Sequence, residues 1–248
     1  MFGHMKVAVV IPAFEPGEGL KEVVAQVHES VDMVVIVDDG SRQPLCLEGV
    51  GQRPIRLVRH ERNLGVGAAI MRGYQEAIML GCDVAVVMAA DGQMDPADTP
   101  ALLAPLLDGK ADYVKGDRLS HPACRFDMPR VRRFGNCCLT FLTRLMTGLK
   151  VTDSQCGYTA LWLKQLGRLP LDWIYPRYGF PNDMLAAMAG AGLRVVDVTV
   201  RPIYRGENSG IHCAVAALVY PLILLRGLIV RWIAWWRRRR AEANLATP

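Results

Sequence analysis

The feature that most constrains this chain is a repeating alternation. Short apolar runs of strand length, each stopped by a polar cluster, alternate with segments of helical period. "KVAVVI" (Lys6–Ile11), "MVVIVDD" (Met33–Asp39), Ile55–Arg59, "DVAVVMAA" (Asp83–Ala90) and "ADYVKG" (Ala111–Gly116) read as strands. Gly19–Ser30, Gly67–Leu80 and Pro100–Leu107 read as the helices between them; in the second, Ile70, Met71, Tyr74, Ala77 and Ile78 recur at helical spacing. Strands joined by helical crossovers specify an α/β fold with an open, mostly parallel sheet flanked by helices. Beyond Gly116 the pattern loosens. A helix is expected over Arg132–Thr147, a loop at "VTDSQCGYTA" (Val151–Ala160), a helix over Asn182–Ala191 and a strand over Leu193–Val200.

In sheets of this kind ligands sit at the carboxyl ends of the strands. The polar clusters fall there: Glu15 after the first strand, Asp38 and Asp39 after the second, Asn63 after the third, Asp91 and Gln93 after the fourth. In "VDDGS" (Val37–Ser41) two carboxylates stand where a strand meets a turn, able to accept from a nucleobase N–H or a ribose hydroxyl, although an ordinary Asp-Gly turn has the same sequence. "PAFEPGEG" (Pro12–Gly19) is a flexible loop facing that turn. "ERNLGVGAAIMRGY" (Glu61–Tyr74) brings Asn63 and Gly65 to a helix start suited to a phosphate or a hydroxyl-rich ligand, or simply to a capped helix. "VMAADGQMDP" (Val87–Pro96) delivers Asp91 and Gln93 at a strand tip, and Asp95-Pro96 reads as the start of the next helix.

The chain has 248 residues, 51% of them hydrophobic and 21% charged, which excludes a disordered chain and suits one α/β domain. Its net charge of +5 is unevenly placed. Residues 201–248 hold eight Arg and two acids, so the rest is nearly neutral. A neutral domain with a cationic, apolar tail points to an anionic membrane surface as partner and away from nucleic acid. Seven Cys show neither C-x-x-C nor zinc spacing and read as reduced thiols of a cytoplasm. Val7–Ile11 runs at once into Pro12 and a polar loop, so no signal peptide is expected, and "GHM" (Gly3–Met5) reads as an added leader with Met5 as the start.

Six segments occur in order and at matching intervals: "VVIPAFEP", "VIVDDGS", "RNLGVGAA", "AADGQMDP", "KGDR" and "DSQCGY". Over roughly Val7–Gly210 the chain thereby resembles inverting GT-A glycosyltransferases of family 2. It is most similar to the branch containing dolichyl-phosphate mannose synthase and dolichyl-phosphate glucosyltransferase, which glycosylate polyprenyl phosphates. The resemblance implies a GT-A catalytic domain at 5–210. It implies nucleotide contacts at Pro12, Phe14, Glu15, Asp38 and Asp39, to which Asn63, Gly65 and Asp91 join as donor-site candidates. It implies Mg²⁺ or Mn²⁺ held through Asp91 and Gln93 together with the donor diphosphate; related sequences often read Asp-x-Asp-x-Gln where this one has Ala89-Ala90-Asp91-Gly92-Gln93. A phosphate acceptor needs no general base but does need cations, and the resemblance matches Arg118, Arg132 and Arg205, with Ser209, to that task. Asp91, Arg118, Arg132, Asp153 and Arg205 form the candidate catalytic set. Arg130 and Arg133 read instead as a solvated or lipid-facing stripe.

The tail "CAVAALVYPLILL" (Cys213–Leu225) followed by "RGLIVRWIAWWRRRR" is long enough to span a bilayer. Arg226 and Arg231 would be costly inside one, so residues 211–240 are expected as membrane-interface helices with Trp232, Trp235 and Trp236 at headgroup depth, and 241–248 as a disordered tail. The expected activity is transfer of a hexose from a UDP-glucose or GDP-mannose type donor to a polyprenyl phosphate, at the cytoplasmic face of the membrane. Two alternatives stand beside it: a saccharide or soluble hydroxyl acceptor with Asp153 or Asp183 as base, and a non-catalytic GT-A scaffold motivated by Ala89. The tail can also be read as an oligomerisation helix, giving a homo-oligomer.

Overall fold

The computed structural model describes residues 5–47, 49–177, 179–203 and 213–246, with backbone alone at 213–220 and 245–246. In chain order the elements are β1 (Val7–Ala13), α1 (Gly19–Ala25), β2 (Met33–Asp38), β3 (Ile55–Arg59), α2 (Val66–Met79), β4 (Val84–Val87), α3 (Thr99–Leu107) and β5 (Tyr113–Asp117). They continue with α4 (Cys124–Asp127), α5 (Arg130–Thr147), β6 (Thr159–Trp162), α6 (Phe180–Ala191), β7 (Val195–Thr199) and α7 (Cys213–Ala246). The strands form one sheet in the order β3-β2-β1-β4-β6-β5-β7. The expected strands and helices are present within a few residues at each end, except that α1 stops at Ala25 instead of reaching Ser30.

Alternation along β1 shows why the sheet needs cover on both faces. Ala8 and Val10 enter the core beneath α2 and α6, whereas Val9, Ile11 and Ala13 enter the core beneath α1 and α3. Every one of these is buried, as parallel strands between two helical layers require.

One strand was not expected. β6 lies in and just beyond the segment read as a loop, and it inserts between β4 and β5, antiparallel to both. Four residues are too few to show a period, so only its slot in the sheet makes it a strand. Its direction matters for the site. Thr159, its first residue, pairs with Val87 at the end of β4 and with Lys115 in β5, so the loop before it emerges at the same edge as the carboxyl ends of the parallel strands. Asp153 is thereby carried to the ligand-binding edge.

The tail is one helix, not several. It lies along α6, burying Ile223, Val230 and Ala234. A Cβ on Gly190 of α6 would meet the carbonyl oxygen of Arg231 and stand 2.7 Å from Cβ of Ala234, so the two backbones touch because that position has no side chain. Arg226 donates from Nε to Asp183 at 3.0 Å, and Arg231 donates to the carbonyl of Met146. The two arginines expected at a lipid interface therefore anchor the helix to the body of the fold. The helix also continues to Ala246, so 241–246 are not a disordered tail. Among the described residues no helix is long and apolar enough to cross a membrane.

Candidate active site

The loop after β1 and the turn after β2 are stitched together. Glu15, in the left-handed region at φ 47°, donates its backbone N–H to Ser41 Oγ at 3.0 Å and accepts the Arg42 N–H at 2.9 Å. The two carboxylates of "VDDGS" divide the work. Asp38 closes its own turn by accepting from the Ser41 N–H at 2.9 Å and stands 3.4 Å from Arg59 Nε. Asp39 reaches across to the loop after β3, accepting from the N–H groups of Leu64 (2.9 Å) and Gly65 (2.8 Å), with His60 Nδ1 at 2.7 Å.

Gly65 has φ 107°, and a Cβ there would stand 2.5 Å from Arg177 Cγ and 2.6 Å from the Pro176 carbonyl oxygen. Only glycine tolerates both that backbone and that neighbour. The Pro176 carbonyl accepts from Ala68 at 3.0 Å, and Arg177 donates to Asn63 Oδ1 at 3.4 Å and to the Asn63 carbonyl at 3.3 Å. The segment before α6 is thus strapped to the start of α2.

These loops enclose a cavity of about 600 Å³, within the range that holds a nucleotide-sized ligand. Pro12, Phe14, Glu15, Asp39, Asn63, Gly65 and Asp91, all candidates from the sequence, line it. Asp38 is not among the lining residues; its Oδ1 accepts from Ser41 in the turn beneath, while Oδ2 has only the Arg59 charge at 3.4 Å. Ala89 and Ala90 line the cavity although the sequence reading gave them no contact role, and Arg177 lines it from the segment 175–181, from which contacts to the sugar or base were expected. Nothing in the sequence singled out Arg177 within that segment, because it is 114 positions from the Asn63 it touches.

At the tip of β4, Asp91 Oδ1 accepts from the Gln93 N–H at 2.9 Å, and the Gln93 carbonyl accepts from Ile203 at 3.3 Å. Asp95 accepts from the Ala97 N–H at 3.0 Å and opens the helical turn that leads into α3, the role expected for it. Among the described residues no three His, Cys, Asp or Glu side chains gather as a metal cage. A lone exposed carboxylate at a cavity mouth fits Mg²⁺ or Mn²⁺ only when a bound diphosphate and water supply most of the oxygen ligands, as Mg²⁺ sites commonly arrange. Gln93 does not line the cavity.

A second group lies on the β5–β6 side. Asp153 is fully buried and grips Arg118, which donates from Nε at 2.7 Å, from Nη2 at 3.1 Å and from its backbone N–H at 3.3 Å. Burial alone would raise the Asp153 carboxyl, but the Arg118 charge and hydrogen bonds, with Lys115 nearby, hold it below the usual carboxylate range. Lys115, fully buried in β5, donates to the Cys156 carbonyl and ties the same loop; burial lowers its ammonium pKa. This loop touches the Asp91 turn: Tyr158 Oη donates to the Asp95 carbonyl at 3.1 Å, and a Cβ on Gly157 would stand 3.2 Å from Met94 Cε. Arg132 and its neighbour Arg133 both lie half-buried in the first turn of α5. Arg205 and Ser209 lie outside the described residues.

Asp183 does not start its helix, which begins at Phe180. Fully buried, it accepts from the Tyr175 N–H at 2.8 Å and from Arg226. Burial raises its pKa despite these partners. Cys46, Cys82, Cys124, Cys137, Cys138 and Cys156 are free thiols.

The model of the family described as Glycosyl transferase family 2 matches residues 8–166. The chain is 31% identical over 223 residues to a UDP-N-acetylglucosamine–dolichyl-phosphate N-acetylglucosaminyltransferase of Methanococcus voltae, covering 81% of this chain and 89% of that one. It is 28% identical over 237 residues to an undecaprenyl-phosphate mannosyltransferase of Micrococcus luteus, covering 92% and 96%. Among solved structures, glucosyl-3-phosphoglycerate synthase from Mycobacterium tuberculosis, in complex with Mn²⁺, UDP and glucosyl-3-phosphoglycerate, superposes with a TM-score of 0.64 at 18% identity, over 92% of this chain and 80% of that one. The mostly parallel seven-stranded sheet flanked by helices matches the GT-A fold.

Proposed function

Because the chain belongs to glycosyl transferase family 2, we propose that it transfers a hexose, with inversion, from a nucleoside-diphosphate sugar of the UDP-glucose or GDP-mannose type to a polyprenyl phosphate. The observation that carries this reading is the Arg118–Asp153 pair. The buried carboxylate stands on the loop before β6, which is in contact with the Asp91 turn, and it holds the Arg118 cation in fixed orientation. Such a cation suits an anionic acceptor, which is ionised at neutral pH and needs no base. The two carboxylates that would serve a hydroxyl acceptor are committed elsewhere, Asp153 to Arg118 and Asp183 to Arg226. The relatives named for dolichyl- and undecaprenyl-phosphate support the same acceptor class.

The donor nucleoside lies in the cavity along Pro12, Phe14, Asp39 and Asn63, with its diphosphate toward Asp91. A divalent ion bound there through Asp91 supplies positive charge opposite the leaving diphosphate. Arg118, together with Arg132 from the first turn of α5, holds the acceptor phosphate oxygen in line with the anomeric carbon, so that repulsion between two anions does not prevent approach.

The acceptor is a lipid, and two exposed apolar stripes suit a membrane surface. On α5, Val131, Phe134, Phe141 and Leu145 are exposed at helical spacing among Arg130 and Arg144; on α7, Leu222, Leu225, Ile229, Trp232 and Trp236 are exposed on the face opposite the buried one, ahead of Arg237 to Arg240. The enzyme therefore lies on the cytoplasmic face of the membrane, where nucleotide sugars are present. The test is to incubate purified protein with UDP-glucose or GDP-mannose, undecaprenyl phosphate and Mg²⁺ or Mn²⁺. The expected result is release of nucleoside diphosphate and a glycolipid of inverted anomeric configuration. Absence of turnover with any nucleotide sugar overturns the proposal.

A further inference from the structure

Charge in the donor cavity leads to a role for Arg177. Three acids line the cavity, each of them hydrogen-bonded: Glu15 accepts from the Arg42 N–H, Asp39 from Leu64, Gly65 and His60, and Asp91 from the Gln93 N–H. Asp91 is the carboxylate at the strand tip, and at position 89 the cavity wall is the methyl group of an alanine. A diphosphate in a sugar nucleotide carries a negative charge on each phosphate. A dication on a single carboxylate offsets only half of that charge, and Glu15 and Asp39 deepen the deficit. Among the described residues lining the cavity, Arg177 is the one cationic side chain.

Its placement is suited to an anion. Asn63 takes one N–H from Nη1 and one from Nη2, both through long bonds of 3.4 and 3.3 Å, and a guanidinium carries five such donors. The stem of Arg177 packs against Gly65 at the positive end of α2, so helix dipole and guanidinium act on the same part of the cavity. The segment that carries it is fixed to α2 by the bond from Ala68 to the Pro176 carbonyl.

We infer that Arg177 binds the donor diphosphate directly and shares its neutralisation with the metal, so that this chain holds a nucleoside diphosphate in preference to the monophosphate even without a divalent ion. This rests on the cavity being a nucleotide-sugar site, as proposed above.

The experiment is calorimetric titration of the full chain with UDP, UMP, GDP and GMP, in EDTA and in Mg²⁺, for wild type, Arg177→Gln and Arg177→Lys. In EDTA the wild type should favour the diphosphate of its preferred base about 10-fold or more, the worth of a charge-assisted hydrogen-bond pair. Arg177→Gln should bring that ratio close to one and leave monophosphate affinity unchanged; Arg177→Lys should retain part of the preference. Because Arg177 is exposed, the variants should keep the wild-type melting temperature. An unchanged diphosphate-to-monophosphate ratio in Arg177→Gln overturns the inference. So does an equal loss for both nucleotides, which would mark a contact to the nucleoside or a structural strap. A wild type that binds none of the four nucleotides in either condition refutes the nucleotide-site reading itself, a different outcome from either.

Discussion

Replacing Asp153 by Asn tests the central ion pair. Asp153 is fully buried and receives three N–H groups from Arg118 and one from Gln155 at 3.2 Å. The substitution preserves shape but leaves a largely buried guanidinium without its counter-charge. Removing one partner of such a pair costs about 3–5 kcal/mol, and the lower end applies because the amide oxygen still accepts one bond. The double variant Arg118→Met, Asp153→Leu, which removes both charges, should be less destabilised than Asp153→Asn alone. The acid limb gives a second readout. The folded Asp153 carboxyl lies below its ordinary value of about 3.9, so the pair stabilises the fold above that pH and loses its contribution as pH falls through the lower folded value. Urea melts at pH 7 and between pH 3 and 4 should show the Asp153→Asn deficit at pH 7 and its narrowing in acid. In turnover assays the acceptor KM should rise far more than the donor KM. An Asp153→Asn protein within about 0.5 kcal/mol of wild type at pH 7 would refute the pair as a structural and orienting unit.

Asp91→Asn should abolish Mg²⁺-dependent tightening of nucleoside diphosphate binding and lower kcat at least about 100-fold, since the ion stabilises the leaving group; calorimetry with and without metal checks it. Gly65→Ala forces a Cβ into the Pro176 carbonyl at positive φ, so it should lower stability by about 1–3 kcal/mol and weaken donor binding, read by urea melts and titration. Gly190→Val should push α7 off α6, since a Cβ there meets the Arg231 carbonyl; limited proteolysis should then cleave within 213–246, whereas wild type resists. Phe134→Glu with Phe141→Glu, both exposed, should leave melting unchanged and reduce co-flotation with anionic vesicles.

Much of the cavity lining was legible in the chain. The central strands β1, β2 and β4 carry buried apolar runs that could be read directly, and the polar residues ending the strands fell at one edge of the sheet. Pro12, Phe14, Glu15, Asp39, Asn63, Gly65 and Asp91 line the cavity for that reason. Asp38 was read with Asp39 because neighbours in sequence look alike, yet alternation along the strand end sends one into its own turn and the other across to Gly65.

What the sequence by itself determined is therefore local: the apolar period of each element, the turn chemistry at its end, and the family resemblance those segments carry in register. The tertiary structure alone decided the rest. β6 is a strand only because β4 and β5 leave a slot for it, and its reversed direction is what carries Asp153 to Arg118. α7 reads as a separate tail until Asp183 and the bare backbone at Gly190 are seen to hold one of its faces on α6. Arg177 becomes a cavity residue through a contact spanning 114 positions. Periodicity reports the surroundings of neighbours along the chain; pairings closed by loops of a hundred residues leave no such trace, and they select the charges that meet at the site.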